Sequence, residues 1–113
     1  MAAMLTALTE FADNGNSRTY TLTGHTALSP KLVLQRRKVP SGNQIVIEDT
    51  VTVLEATTDS AGATMPQRVS FSATIRRPSG GDAAVVTAAL AVFRDIIAGD
   101  EFANTVDTQE WLK

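Results

Sequence analysis

Residues 68–82 read Arg68-Val69-Ser70-Phe71-Ser72-Ala73-Thr74-Ile75-Arg76-Arg77-Pro78-Ser79-Gly80-Gly81-Asp82, and within them the hydrophobic pattern passes from that of a strand to that of a helix. Val69, Phe71, Ala73 and Ile75 alternate with Arg68, Ser70, Ser72, Thr74 and Arg76, as expected of a half-buried strand whose successive side chains point to opposite faces. Pro78-Ser79-Gly80-Gly81 breaks the strand, and Asp82 is a good N-cap because its carboxylate can accept from the first free amides of a helix. Beyond it Val85, Val86, Ala89, Leu90, Phe93, Ile96 and Ile97 recur at helical spacing as far as Gly99. Gly99 is expected as a left-handed C-cap. Asp100 is expected as the N-cap of a second, shorter helix with Phe102 and Val106 on one face, and Trp111 and Leu112 supply a last apolar patch.

Working back from this stretch, the chain reads as strands. Residues 1–24 predict a β-hairpin, with Met4–Leu8 and Arg18–Thr23 as arms around Asp13-Asn14-Gly15-Asn16, where Asn-Gly supplies a positive φ cheaply. Gly24–Pro30 connects to the main sheet strands within 31–77. These are Lys31–Val39, a turn at Pro40–Asn43, then Gln44–Thr57, rich in Val, Ile and Thr, and after a loop at Thr58–Pro66 the strand already quoted. Residues 82–113 hold the C-terminal helices. Strands first and helices last define an α+β class with an antiparallel sheet, in one domain spanning 1–113. Helices placed in a block at one end cover one sheet face, and a single layer of this kind buries little unless a second copy completes it.

Composition narrows the function. There is no cysteine, so disulfides and thiolate metal sites are excluded, and no apolar run is long enough for a membrane helix. Met1–Thr9 lacks the basic flank of a signal peptide. The net charge of −2 hides an asymmetry. Residues 31–77 carry Lys31, Arg36, Arg37, Lys38, Arg68, Arg76 and Arg77 against Glu48, Asp49, Glu55 and Asp59, whereas residues 78–113 are acidic. Two faces with different partners follow from that division. Catalytic constellations do not. His25 lies alone in a loop, Glu48 and Asp49 point to opposite faces of a strand, and Asp100-Glu101 are helix-cap charges. Gly80-Gly81-Asp82 lacks the lysine and spacing of a phosphate loop. No enzyme activity, cofactor, metal or small-molecule substrate is expected.

The layout resembles that of the coat proteins of single-stranded RNA bacteriophages. The resemblance covers essentially the whole chain and rests on element order, on the stretch from Arg68 to Asp82, and on Gly99-Asp100-Glu101-Phe102. It implies an interlocked homodimer with one continuous sheet and exchanged helices, dimers assembling into an icosahedral shell, and the inner sheet face binding RNA, including a hairpin that represses replicase translation. It implies a virion component assembled in the cytoplasm of a bacterial host. The candidate RNA-binding residues are Lys31, Gln35, Arg37, Thr50, Thr52, Arg68, Ser70, Ser72, Thr74 and Arg76, cations for phosphate and hydroxyls or amides for bases. Val85, Leu90, Phe93, Ile96, Ile97, Phe102, Val106 and Trp111 are the expected dimer and core contacts. The alternative is a small dimeric β-sheet module that binds nucleic acid or a protein partner without assembling.

Overall fold

The computed structural model describes residues 3–38 and 46–113. Five strands, β1 (Thr9–Asp13), β2 (Ser17–Thr21), β3 (Lys31–Lys38), β4 (Val46–Thr58) and β5 (Thr64–Pro78), precede two helices, α1 (Ala83–Ala98) and α2 (Asp100–Thr108). The strands form one sheet in sequence order, β1 to β5, so each is joined to its spatial neighbour. The chain divides into two units, Met1–Arg76 and Arg77–Lys113. The turn expected at Pro40–Asn43, with Val39 and Gln44 at the adjoining strand ends, lies outside the described residues.

In the sheet unit the first hairpin turns where its chemistry demands. Gly15 takes φ +81°, and Asp13 Oδ1 accepts from its amide at 2.9 Å. A tight turn pairs the residues beside it, so the first arm is Thr9–Asp13 and not the expected Met4–Leu8. Leu5, well outside the ladder, is fully exposed. A bulge between Glu10 and Ala12 shifts the register with β2 by one residue. After β2, His25 Nδ1 accepts from the amide of Lys31 at 3.0 Å and closes the connection into β3, which gives the lone histidine a structural role.

The β4–β5 turn is built by Asp59. Its Oδ1 accepts from the amides of Ala61 at 2.9 Å and Ala63 at 3.0 Å, and Gly62 takes φ +86°. These bonds shorten the expected Thr58–Pro66 loop to residues 59–63, so Thr64–Pro66 joins the strand. β5 is the last strand in the order, an edge position where proline is tolerated.

In the helical unit, Asp82 caps α1 as expected, its Oδ1 accepting from Ala84 N at 2.8 Å. Gly99 departs from expectation. It adopts φ −80°, ψ 158°, extended rather than left-handed, because it serves at once as C-cap of α1 and N-cap of α2, and an N-cap needs extended backbone. Asp100 is therefore the first residue of α2 and not its cap, and its carboxylate, with that of Glu101, lies in the first turn where the helix dipole favours it. The left-handed cap falls at Gln109, φ 59° and ψ 29°. Just beyond it, the Thr105 hydroxyl donates to Glu110 O at 2.6 Å.

Little apolar surface is buried. Val33, at 8% exposure, is the one core side chain among the described residues, while Phe71 and Phe93 stay about half exposed and Trp111 almost wholly so.

Candidate nucleic-acid interface

The register of the ladder decides which side chains share a face. Lys31 pairs with Glu55, Val33 with Val53, Gln35 with Val51 and Arg37 with Asp49, while Leu32 pairs with Leu54, Leu34 with Thr52, Arg36 with Thr50 and Lys38 with Glu48. Residues paired across an antiparallel ladder point to the same side. In β2, Arg18 opposes Gln35 and Tyr20 opposes Val33, whereas Ser17, Thr19 and Thr21 oppose Arg36, Leu34 and Leu32. Between β4 and β5, the Thr52 and Ser72 hydroxyls meet at 2.9 Å and Arg76 Nε donates to Glu48 Oε2 at 2.9 Å. Moving back along β4 from Thr52 to Glu48 means moving forward along β5 from Ser72 to Arg76, so the two run antiparallel, with even-numbered residues on the same side.

One face, here the polar face, thus carries Ser17, Thr19 and Thr21, then Arg36 and Lys38, Glu48, Thr50 and Thr52, and finally Arg68, Ser70, Ser72, Thr74 and Arg76. Leu32, Leu34 and Leu54 occupy part of it, with Leu34 next to Arg36 along β3. Among the described residues through Arg76, its charges are Arg36, Lys38, Arg68 and Arg76 against Glu48 alone. The opposite, apolar face carries Val33, Val51, Val53, Val69, Phe71 and Ile75, and three of its cations stand beside acids. Lys31 faces Glu55, Arg37 faces Asp49, and Arg18 is 3.4 Å from Asp13.

Seven of the ten candidate RNA-binding residues, Thr50, Thr52, Arg68, Ser70, Ser72, Thr74 and Arg76, lie together on the polar face. Lys31, Gln35 and Arg37 do not: the register puts them on the apolar face, which corrects their grouping with the other seven. Gln35 accepts from the Tyr20 hydroxyl at 3.4 Å and Arg37 donates to Gly15 O at 3.4 Å, around a surface hollow that Arg18 also lines. There the Arg18 guanidinium is held above its ordinary pKa, first by its hydrogen bond with Tyr20 and then by the charge of Asp13. Two other cations, Arg36 and Lys38, share the polar face with the seven, and both are exposed. Their signal was present in Arg36-Arg37-Lys38, whose first and third members must share a side.

Glu48 also lies on the polar face, but its carboxylate is answered by Arg76 and stands across from Lys38. Of the paired aromatic residues, Tyr20 and Phe71 are on the apolar face, so the polar face presents cations, hydroxyls and leucines. Such a surface can hold a phosphate backbone by charge and hydrogen-bond to sugars and base edges. Among the described residues no group of three or more His, Asp or Glu could hold a metal ion. No described helix is long and apolar enough to cross a membrane.

No family model matches the sequence, and no curated protein matches it. Solved structures do match. A chain of the virus-like particle of Wenzhou levi-like virus 4 superposes with a TM-score of 0.82 at 15% identity, covering 96% of this chain and 79% of that one. One from the virus-like particle of Beihai levi-like virus 21 gives 0.79 at 7% identity, covering 94% and 86%. One from the virus-like particle of bacteriophage ESE020 gives 0.74 at 17% identity, again covering 94% and 86%. The five-stranded sheet followed by two helices is the fold of the RNA phage coat proteins. At these identities the likeness is one of fold, and it extends over nearly the whole chain.

Proposed function

We propose that the chain is a capsid subunit that dimerises, assembles into a closed icosahedral shell and encloses single-stranded RNA. The observation that carries this reading is the whole-chain likeness in fold to chains of several virus-like particles. Two features of the molecule support it. Apolar side chains on the sheet and on both helices are open to solvent, including Phe71, Ile75, Val85, Leu90, Phe93, Ile96, Ile97 and Val106, far more than a chain functioning alone would leave uncovered. β5 is a long, exposed edge strand, able to extend the sheet into that of a second copy.

In this reading, 1–113 acts as one coat-protein domain. The helices of each copy cover the apolar face of the other's sheet, with Phe93, Phe102 and Trp111 among the contacts. The polar face then looks inward and meets RNA through Arg36, Lys38 and Arg68, while Thr50, Thr52, Ser70, Ser72 and Thr74 hydrogen-bond to sugar and base. Binding of a genomic hairpin by that face would repress replicase translation. The protein works as structure, without catalysis, and belongs to the virion after assembly in a bacterial cytoplasm.

The test is to express the chain alone in bacteria and examine it by size-exclusion chromatography, electron microscopy and absorbance at 260 and 280 nm. Uniform closed particles containing nucleic acid are expected. A nucleic-acid-free dimer at every concentration and salt would replace this reading with that of a small binding module. Repression of a reporter by a cognate hairpin would test the regulatory part separately.

A further inference from the structure

Among the described residues of the polar face, the single carboxylate sits between cations from both flanking strands. Glu48 on β4 stands directly across from Lys38 on β3, and its Oε2 accepts from Arg76 Nε on β5 at 2.9 Å. Arg76 remains 70% exposed and Glu48 is 32% exposed, so the pair is open to solvent and to any ligand on that face. An exposed ion pair of this kind adds little to stability, because the Coulomb gain in water is offset by screening and by lost side-chain freedom. Its larger effect is on the field of the surface: it neutralises one of the four cations and lowers the attraction of the face for polyanions. The same position could hold threonine, the residue found two and four places along the same strand face if Thr50 and Thr52 are taken as its neighbours, and the hydroxyl row would then run unbroken.

We infer that Glu48 is a brake on RNA affinity, holding Arg76 in an ion pair that keeps it from phosphate. The inference rests on the polar face being the RNA surface. Its consequence is a moderate, reversible attachment to many RNA segments, which lets subunits rearrange on the strand while a shell closes.

The experiment uses the full chain freed of nucleic acid and a short polyuridine RNA, with affinity measured by fluorescence anisotropy across a salt series. For a single strand each phosphate contact contributes about 0.7 to the slope of log K against log salt, so E48Q, by releasing Arg76, should steepen that slope by about 0.7 and tighten binding about fivefold at ~0.1 M salt. E48T, which suits a strand, should act alike and guards against a folding defect in one variant. E48Q/R76Q should return to the wild-type slope. R36Q, outside the ion pair, should weaken binding. If R36Q weakens binding and E48Q and E48T leave it unchanged or weaker, the brake is overturned while the RNA face stands. If R36Q has no effect either, the polar face is not the RNA surface and the inference falls with it.

Discussion

The two faces of the sheet are made from the same strands, one residue apart, and they differ in almost every physical respect. On β5, Phe71 and Ser72 are adjacent, yet Phe71 belongs with Val33, Val51 and Val53 whereas Ser72 meets the Thr52 hydroxyl on the other side. On β3, Arg36 stands across from Thr50 on the cationic face and Arg37 across from Asp49 on the face where three cations stand beside acids. Chain neighbours therefore lie in different surroundings. The apolar face resembles the interior of an interface, a hydrophobic centre with opposed charges at its margin, and fits a second protein surface. The polar face carries a surplus of one sign and a field of hydroxyls, and fits a polyanion. A strand that alternates strictly can address protein on one side and RNA on the other without a separate domain for either.

Substitutions at neighbouring positions should separate these roles. The largest effect is expected on the apolar face: Phe71→Ala should destabilise the assembled protein by about 3–5 kcal/mol, as for a fully buried ring, although the ring is about 45% exposed in the single chain. Urea unfolding of the assembled form measures this, and a negligible loss would mean that no partner covers that face. Next comes the pair Arg36→Gln and Arg37→Gln. The first should lower the RNA affinity of the chain about fivefold at ~0.1 M salt and flatten the salt slope by about 0.7, the second should leave both nearly unchanged. Equal losses would erase the distinction between the faces. The smallest effect is expected of Ser72→Ala, which removes the 2.9 Å contact with Thr52 from an exposed site and should cost about 0.5 kcal/mol with the oligomeric state intact. Loss of assembly in that variant would place the polar face, too, in a protein interface.

How much of this was legible in the sequence varied with the strength of local patterning. The strand at 68–77 and α1 read clearly, because strict alternation and helical spacing are separated by Pro78, the glycines and the Asp82 cap. The first arm of the hairpin was misread because Thr9–Asp13 is mostly polar and bulged, while the nearby Met4–Leu8 is more apolar but too far from the turn to pair. The separation of Lys31, Gln35 and Arg37 from the other seven has one cause. After Lys31, β3 runs Leu32, Val33 and Leu34 in succession, and three consecutive apolar residues give no alternation from which to read a side. Only pairing with β4 settles that Val33 and Arg37 look one way and Arg36 and Lys38 the other. Gly99 was read from residue type, which favours a left-handed cap, but with Asp100 already helical the backbone must leave one helix and enter the next within a single residue.

In the proposed function this sheet builds a shell with its polar face towards RNA. A cryo-electron microscopy reconstruction of the particles formed by the chain expressed alone tests it most directly. Closed shells are predicted, with Arg36, Lys38 and Arg76 facing interior nucleic-acid density and Phe71 covered by helices of a second copy. Closed shells with Arg37 and Phe71 facing the interior density and the hydroxyl face outward would contradict it.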